Sequence, residues 1–324
     1  MRKPLQITSW IAVAAVAWGI GFVYNARYGG ELSWLRMMYE RKIALAAQVE
    51  APKRLLITGG SGAHYTINAK LMEQELGIPV FNLGLDGPIG LDVILPSILG
   101  QVRKGDIVLL IPEYLILWAD DGFGDRSTQF GVAIGKPGLG GIPPKRFAQD
   151  TFMLGTMTLK ATTKSTVDLV EKGKFTGYYS DPVDEHGDPT VTKERTGKWW
   201  ELPIDKPITK HAVSRIAQFK KEVEAKGGTL VLSLPWVYAS QDAKSVDNVN
   251  KTAQKLGQIA PLIYDKESLN MQTDSNLFAD THYHLKPESR RIRAEQLVKE
   301  LKELPGLELG NTNSQVGGDS SVGK

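Results

Sequence analysis

The sequence predicts an α/β protein in three layers, with helices on both faces of a mainly parallel sheet. Three observations carry that expectation. The runs LLI (55–57), PVFNL (79–83) and IVLLI (107–111) are apolar without alternation, as strands covered on both faces should be. Segments of helical periodicity separate them, which gives a β-α-β-α-β order. The first run ends abruptly in Gly59-Gly60-Ser61-Gly62, a strand-to-helix turn whose glycines expose a serine hydroxyl above the sheet.

Taken in order, Arg2 and Lys3 precede an uncharged apolar stretch, Ile7 to Tyr24, of about 18 residues, close to the shortest helix that crosses a bilayer. Residues 1–25 therefore read as a signal anchor, with the body outside the cytoplasm, periplasmic or at the cell surface. A cleaved signal peptide ending near Ala15-Val16-Ala17 is the rival reading. Residues 26–50 form a linker whose periodicity over 31–50 predicts a helix that stands the body off the membrane. The body is 51–304: strand 54–58, helix 62–76, strand 78–85, helix 90–102, strand 106–112, helix 209–226, strand 229–234, helix 242–257, strand 261–264 and helix 287–303, which begins at Pro287. Between 118 and 210 periodicity fails and Gly, Pro and aromatics accumulate, so an irregular lid or substrate-binding insertion is expected there. The polar, Gly/Ser-rich residues 305–324 read as a disordered tail.

Composition excludes several classes. Thirty-nine Lys and Arg against 36 Asp and Glu leave a net charge of +3 with no basic cluster, so nucleic acid is not an expected partner. Cysteine is absent, which removes disulfides, thiolate zinc sites and cysteine nucleophiles. GGSGAH lacks the last glycine of a dinucleotide fingerprint, and no lysine follows as a P-loop requires. No cofactor is expected.

Ligands of open parallel sheets bind beyond the carboxyl ends of the strands, and three segments fall there. GGSG (59–62) suits a nucleophile, a phosphate cradle or a helix N-cap. Asn82-Leu83-Gly84-Leu85-Asp86-Gly87 is an ordinary turn or a place where a backbone N–H approaches a ligand. In Phe278-Ala279-Asp280-Thr281-His282-Tyr283-His284-Leu285, two histidines and an aspartate invite a metal, but the chain's other histidines, His64, His186 and His211, are scattered, and no metal is expected.

Together the three segments resemble the SGNH, or GDSL-type, hydrolase superfamily over residues 54–114 and 229–303. The resemblance implies a flavodoxin-like αβα fold, Ser61 as nucleophile, Gly87 and the Ser61 N–H as oxyanion donors, His284 as base and Asp280 as its partner. Because the Asp-to-His spacing is four rather than the family's three, His282 stays an alternative base. Where many members supply an oxyanion Asn, this chain has Ile111-Pro112-Glu113-Tyr114: Tyr114 is the candidate substitute, and Glu113 would oppose negative charge unless protonated or turned away. The implied activity is acyl-ester hydrolysis or O-acyl transfer on O-acylated cell-surface or exopolysaccharide glycans, with Tyr178, Tyr179, Trp199, Trp200 and Trp236 as candidate sugar platforms. The alternatives are a silent polysaccharide-binding or assembly subunit, and a lipid esterase or thioesterase. Oligomeric state is not legible.

Overall fold

The computed structural model describes residues 2–28, 33–154, 158–173, 182–307 and 309. Among these described residues seven strands form: β1 (Leu55–Gly59), β2 (Val80–Asn82), β3 (Ile107–Ile111), β4 (Thr229–Ser233), β5 (Val237–Tyr238), β6 (Leu262–Ile263) and β7 (Met271–Gln272). Five of them make one parallel sheet in the order β2-β1-β3-β4-β6, while β5 and β7 form a small separate ribbon. The chain leaves β1 toward β2 on one side and returns to β3 on the other, so a crevice opens beyond their carboxyl ends. The register decides what meets there. Gly59 pairs with Ile111, so Ser61 and Glu113, each two residues further on, emerge side by side.

Side-chain alternation along β1 shows why the strands read as continuously apolar. Leu55 and Ile57 pack with Ala69, Met72 and Leu76 of one helix and Leu297 and Leu301 of the C-terminal helix. Leu56 faces the opposite layer, with Ile94, Ile216 and Leu256 from three other helices. Both faces are dry, and the three-layer expectation holds.

Four expectations are corrected. The helix drawn over 62–76 is two, Ser61–His64 and Ala69–Leu76. The break is chemical: Asn68 caps the second helix by accepting from the Leu71 N–H at 3.0 Å, and Asp188 accepts from the Ala69 N–H at 2.5 Å. The strand expected over 78–85 ends at Asn82, beyond which the chain becomes the loop that lines the site.

The linker helix, Ser33–Gln48, is no stalk. Leu35, Met38, Tyr39 and Ala46 are buried in the main core. Fully buried Arg54 donates to the Ala46 carbonyl at 2.6 Å while forming a two-pronged pair with Asp106, at 2.6 and 3.0 Å. Arg103 takes the Ala47 carbonyl at 2.9 Å, so the helix's terminal acceptors are satisfied by the body.

The insertion is not irregular either, since it holds helices Ser127–Ala133, Pro144–Leu154 and Thr158–Lys172. Within it, Tyr178 and Tyr179 lie outside the described residues, as does most of the 305–324 tail.

Candidate active site

Two glycines let Ser61 and Glu113 meet. Gly59 takes a φ of 151°, and a Cβ on it would collide with the Ile111 carbonyl. At Gly60 a Cβ would overlap the Glu113 carboxyl. With that space open, Ser61 Oγ donates to Glu113 Oε1 at 2.8 Å, and the Gly62 N–H donates to the same oxygen at 2.5 Å. Oε2 has no hydrogen-bond partner among the described residues. Glu113 is buried, and that desolvation pushes its carboxyl above the usual range. The hydrogen bonds from Ser61 and Gly62 and the charge of His284 oppose the rise, and Asp86 adds to it. Glu113 is thus neither exposed nor turned away.

The other half of the site comes from the loop ahead of the C-terminal helix. His284 Nδ1 lies 2.7 Å from Asp280 Oδ1. Burial pushes Asp280 up, but the hydrogen bond and charge of His284 outweigh it, and the net shift is below the usual value. With the Asp280 carboxylate accepting at Nδ1, the lone pair of the neutral imidazole is on Nε2. The ring is held from above by Tyr65, whose centroid is 4.1 Å away.

Ser61 and His284 line the same two cavities, of about 400 and 220 Å³. The larger is walled by Pro88, Leu115, Ile116, Ala119 and Phe123, with Gly87, Glu113 and Tyr283 beside the serine. The expected Ser61–His284 hydrogen bond is not formed; the serine's partner is Glu113. The reason is the β1–β3 register, which brings a carboxylate to the hydroxyl before any loop reaches it.

Tyr114 is corrected as an oxyanion donor. It is fully buried in the main core, where desolvation raises its phenol pKa, and it lines neither cavity. His282 is likewise turned away: its Nε2 contacts the Trp200 carbonyl at 2.8 Å and its ring stacks on Tyr238. Burial lowers its pKa, with the nearby Arg195 acting the same way and the Trp200 bond opposing. Gly87 lies beside Ser61, and a Cβ there would come to 2.9 Å from Glu113 Oε2. Asn82 is structural, accepting from the Gly84 N–H at 2.9 Å and donating to Asp188 at 2.9 Å.

Of the aromatic platforms within the described residues, Trp199, Trp200 and Trp236 line neither cavity. Trp199 and Trp200 are both covered by the Arg195 guanidinium, at 4.4 and 4.0 Å. Trp236 is buried and bonds Gln296.

The sequence reading missed Lys42. This buried lysine of the linker helix bonds the Gly84 carbonyl at 2.6 Å and His64 Nδ1 at 2.8 Å, behind the Ser61 turn. The signal was present, because Leu35, Met38, Tyr39, Lys42 and Ala46 share one helical face, on which a lysine is out of place. One potential metal cluster occurs among the described residues: Asp184, Glu185 and His186, with ligand atoms within 4.8 Å of one another. It lines neither cavity, and Asp184 Oδ1 already accepts from the N–H groups of His186 and Asp188.

Fold and site define an α/β protein with a five-stranded parallel sheet, an N-terminal apolar helix long enough to cross a membrane, and a serine-, glutamate- and histidine-lined cleft at the sheet's carboxyl edge. No family model matches the chain, and no curated protein matches it.

Proposed function

We propose that this protein is a membrane-anchored serine acyl-ester hydrolase or O-acyltransferase of the SGNH type, with its body outside the cytoplasm. One observation carries the reading: a serine just beyond the first strand lines the smaller cavity together with an Asp280–His284 pair contributed more than two hundred positions later. Triads are recognised by such roles and not by order in the chain.

In the proposed reaction Ser61 Oγ leaves Glu113, passes its proton to His284 Nε2 and bonds to the ester carbonyl carbon. The carbonyl electrons move to oxygen, where the N–H groups of Ser61 and Gly87 donate. In its protonated form, which burial favours, Glu113 supplies a third donor from Oε2; a neutral carboxyl in a dry site serves as an oxyanion donor where an ionised one would repel. Collapse expels the alkoxide, which takes the proton from His284 and leaves an acyl-enzyme. Water completes hydrolysis; a hydroxyl completes transfer. Leu115, Ile116, Ala119 and Phe123 offer an apolar wall to the acyl group. The acceptor we propose is a surface or exopolysaccharide glycan, because the anchor holds the site at the envelope. Lipid acyl esters are the second reading, favoured by that wall and by the same anchor.

Purified full-length protein should release p-nitrophenol from p-nitrophenyl acetate and take up a fluorophosphonate label, and Ser61→Ala should abolish both. A wild-type chain inert in both assays sinks the enzyme reading in favour of a silent binding subunit.

A further inference from the structure

The anchor helix, Arg2–Val23, continues into a π turn, Tyr24–Tyr28, and its apolar span runs from Gln6 to Ala26. At 1.5 Å per residue those 21 residues make about 30 Å, the thickness of a bilayer's hydrocarbon core. Nearly all of the span is bare, and its outward side chains include Ile7, Ile11, Val16 and Ile20.

The insertion grips this helix partway along the span. Trp18 Nε1 donates to the Phe152 carbonyl at 2.7 Å, and Asn25 Nδ2 donates to the Leu154 carbonyl at 2.5 Å, so the anchor satisfies the terminal acceptors of helix Pro144–Leu154. The rings of Trp18 and Phe152 stack at 6.3 Å, and Trp18 stacks on Phe22 at 5.4 Å. Phe22 and Trp18 lie four and eight residues before Ala26, about 6 and 12 Å further along the axis. Ending the span at Trp18 instead leaves about 18 Å of helix, too short for the hydrocarbon core. Phe152 must then enter the bilayer with the anchor.

The surrounding surface has the chemistry for it. Phe152 is 61% exposed and Met153 51%, and helix Thr158–Lys172, which carries Val170 at 80% exposure, packs against the Tyr24–Tyr28 turn at the end of the span. In sequence, residues 151–163 (TFMLGTMTLKATT) carry a single charge, Lys160, inside an otherwise polar insertion. Single exposed apolar residues need no explanation, but a group of them continuous with a membrane span does.

We infer that the end of helix Pro144–Leu154, at Phe152 and Met153, is immersed in the bilayer beside the anchor, so that the protein grips the membrane at two points rather than hanging from one. Trp18 sits about 12 Å along the axis from the end of the span, at or just beyond the roughly 5–10 Å to which amphipathic elements sink at the headgroup and acyl boundary. Lipid is the occupant because the contact is continuous with the anchor's own lipid-facing surface. The inference rests on the anchor part of the proposed function and not on the chemistry.

The absence of cysteine permits a clean test. Full-length Val13→Cys, Met153→Cys and Lys244→Cys are each labelled with bimane and reconstituted into phosphatidylcholine–phosphatidylglycerol vesicles. Quenching by iodide in water is compared with quenching by doxyl-labelled lipid. The label at 153 should follow the one at 13, with strong lipid quenching and iodide quenching several-fold weaker than at 244. A Val170→Cys label, outside the Trp18 contact, repeats the measurement should the 153 variant fail to fold, and it should show the same lipid quenching. Aqueous quenching at 153 with lipid quenching at 13 overturns the immersion and keeps the anchor. Protection at 153 from both quenchers also overturns it, since a second protein copy then covers the patch. Aqueous quenching at 13 removes the anchor and the inference together.

Discussion

The two halves of the candidate site are built from the same pair of ingredients, a carboxyl group and a partner, yet they differ in almost every physical respect. Glu113 stands two residues beyond β3, sealed against Gly60 and Gly87 and buried, with Oε2 unpartnered among the described residues. Asp280 stands on a loop, with 26% of its side chain exposed, paired to a histidine. Burial moves the first carboxyl up; its partner's hydrogen bond and charge bring the second down. The contrast teaches that strand register fixes an acid in a dry place, whereas the loop supplies a base that must exchange protons with solvent.

Removing the loop half should have the largest effect. His284→Ala should cut kcat by about 10³-fold or more, as loss of a triad base does. His282→Ala, whose ring is turned to Trp200, should leave kcat within a few-fold of wild type. Steady-state kinetics on p-nitrophenyl acetate decide between them, and the reverse ranking would hand the base role to His282 and break the comparison.

The sheet half should respond more selectively. Glu113→Ala removes a donor and should lower kcat by about 10² to 10³. Glu113→Gln keeps a neutral donor of the same shape and should retain most of the rate. A neutral acid also predicts an alkaline fall in wild-type kcat as Glu113 ionises, with His284, Asp86 and Tyr283 the titratable groups facing it. That limb should be absent in Glu113→Gln. If Gln is as damaging as Ala, Glu113 works as a carboxylate and its assigned role fails.

How much of this was legible follows the same division. The apolar runs placed β1 and β3 within a residue, because strands buried on both faces leave no ambiguity of pattern. Asp280 and His284 were legible because they are close in sequence and the bond between them is local. The Ser61–Glu113 bond was not, since it depends on which strand neighbours β1 and in what register, and neither is written in local periodicity. Helix Pro144–Leu154 follows directly on the glycine- and proline-rich residues 136–144, which hide its start, and helix Thr158–Lys172 is built on threonines, which are weak helix formers.

The finest test sets the two carboxyls against each other in stability. Asp280 is depressed in the folded state, so it stabilises above the ordinary aspartate range and that contribution is lost as pH falls through its lowered value. Glu113 is raised, so its contribution is complete below the ordinary glutamate range and is lost as pH rises toward its elevated value. Thermal melts across pH should therefore diverge in opposite senses. Asp280→Asn should melt below wild type near neutrality, and the gap should close on acidification. Glu113→Gln should match wild type in acid and melt above it at higher pH. Each gap should be on the order of 2–4 °C for a domain of this size. A Glu113→Gln protein that tracks wild type at every pH would mean that the buried carboxyl ionises freely, and the difference between the two halves would reduce to geometry alone.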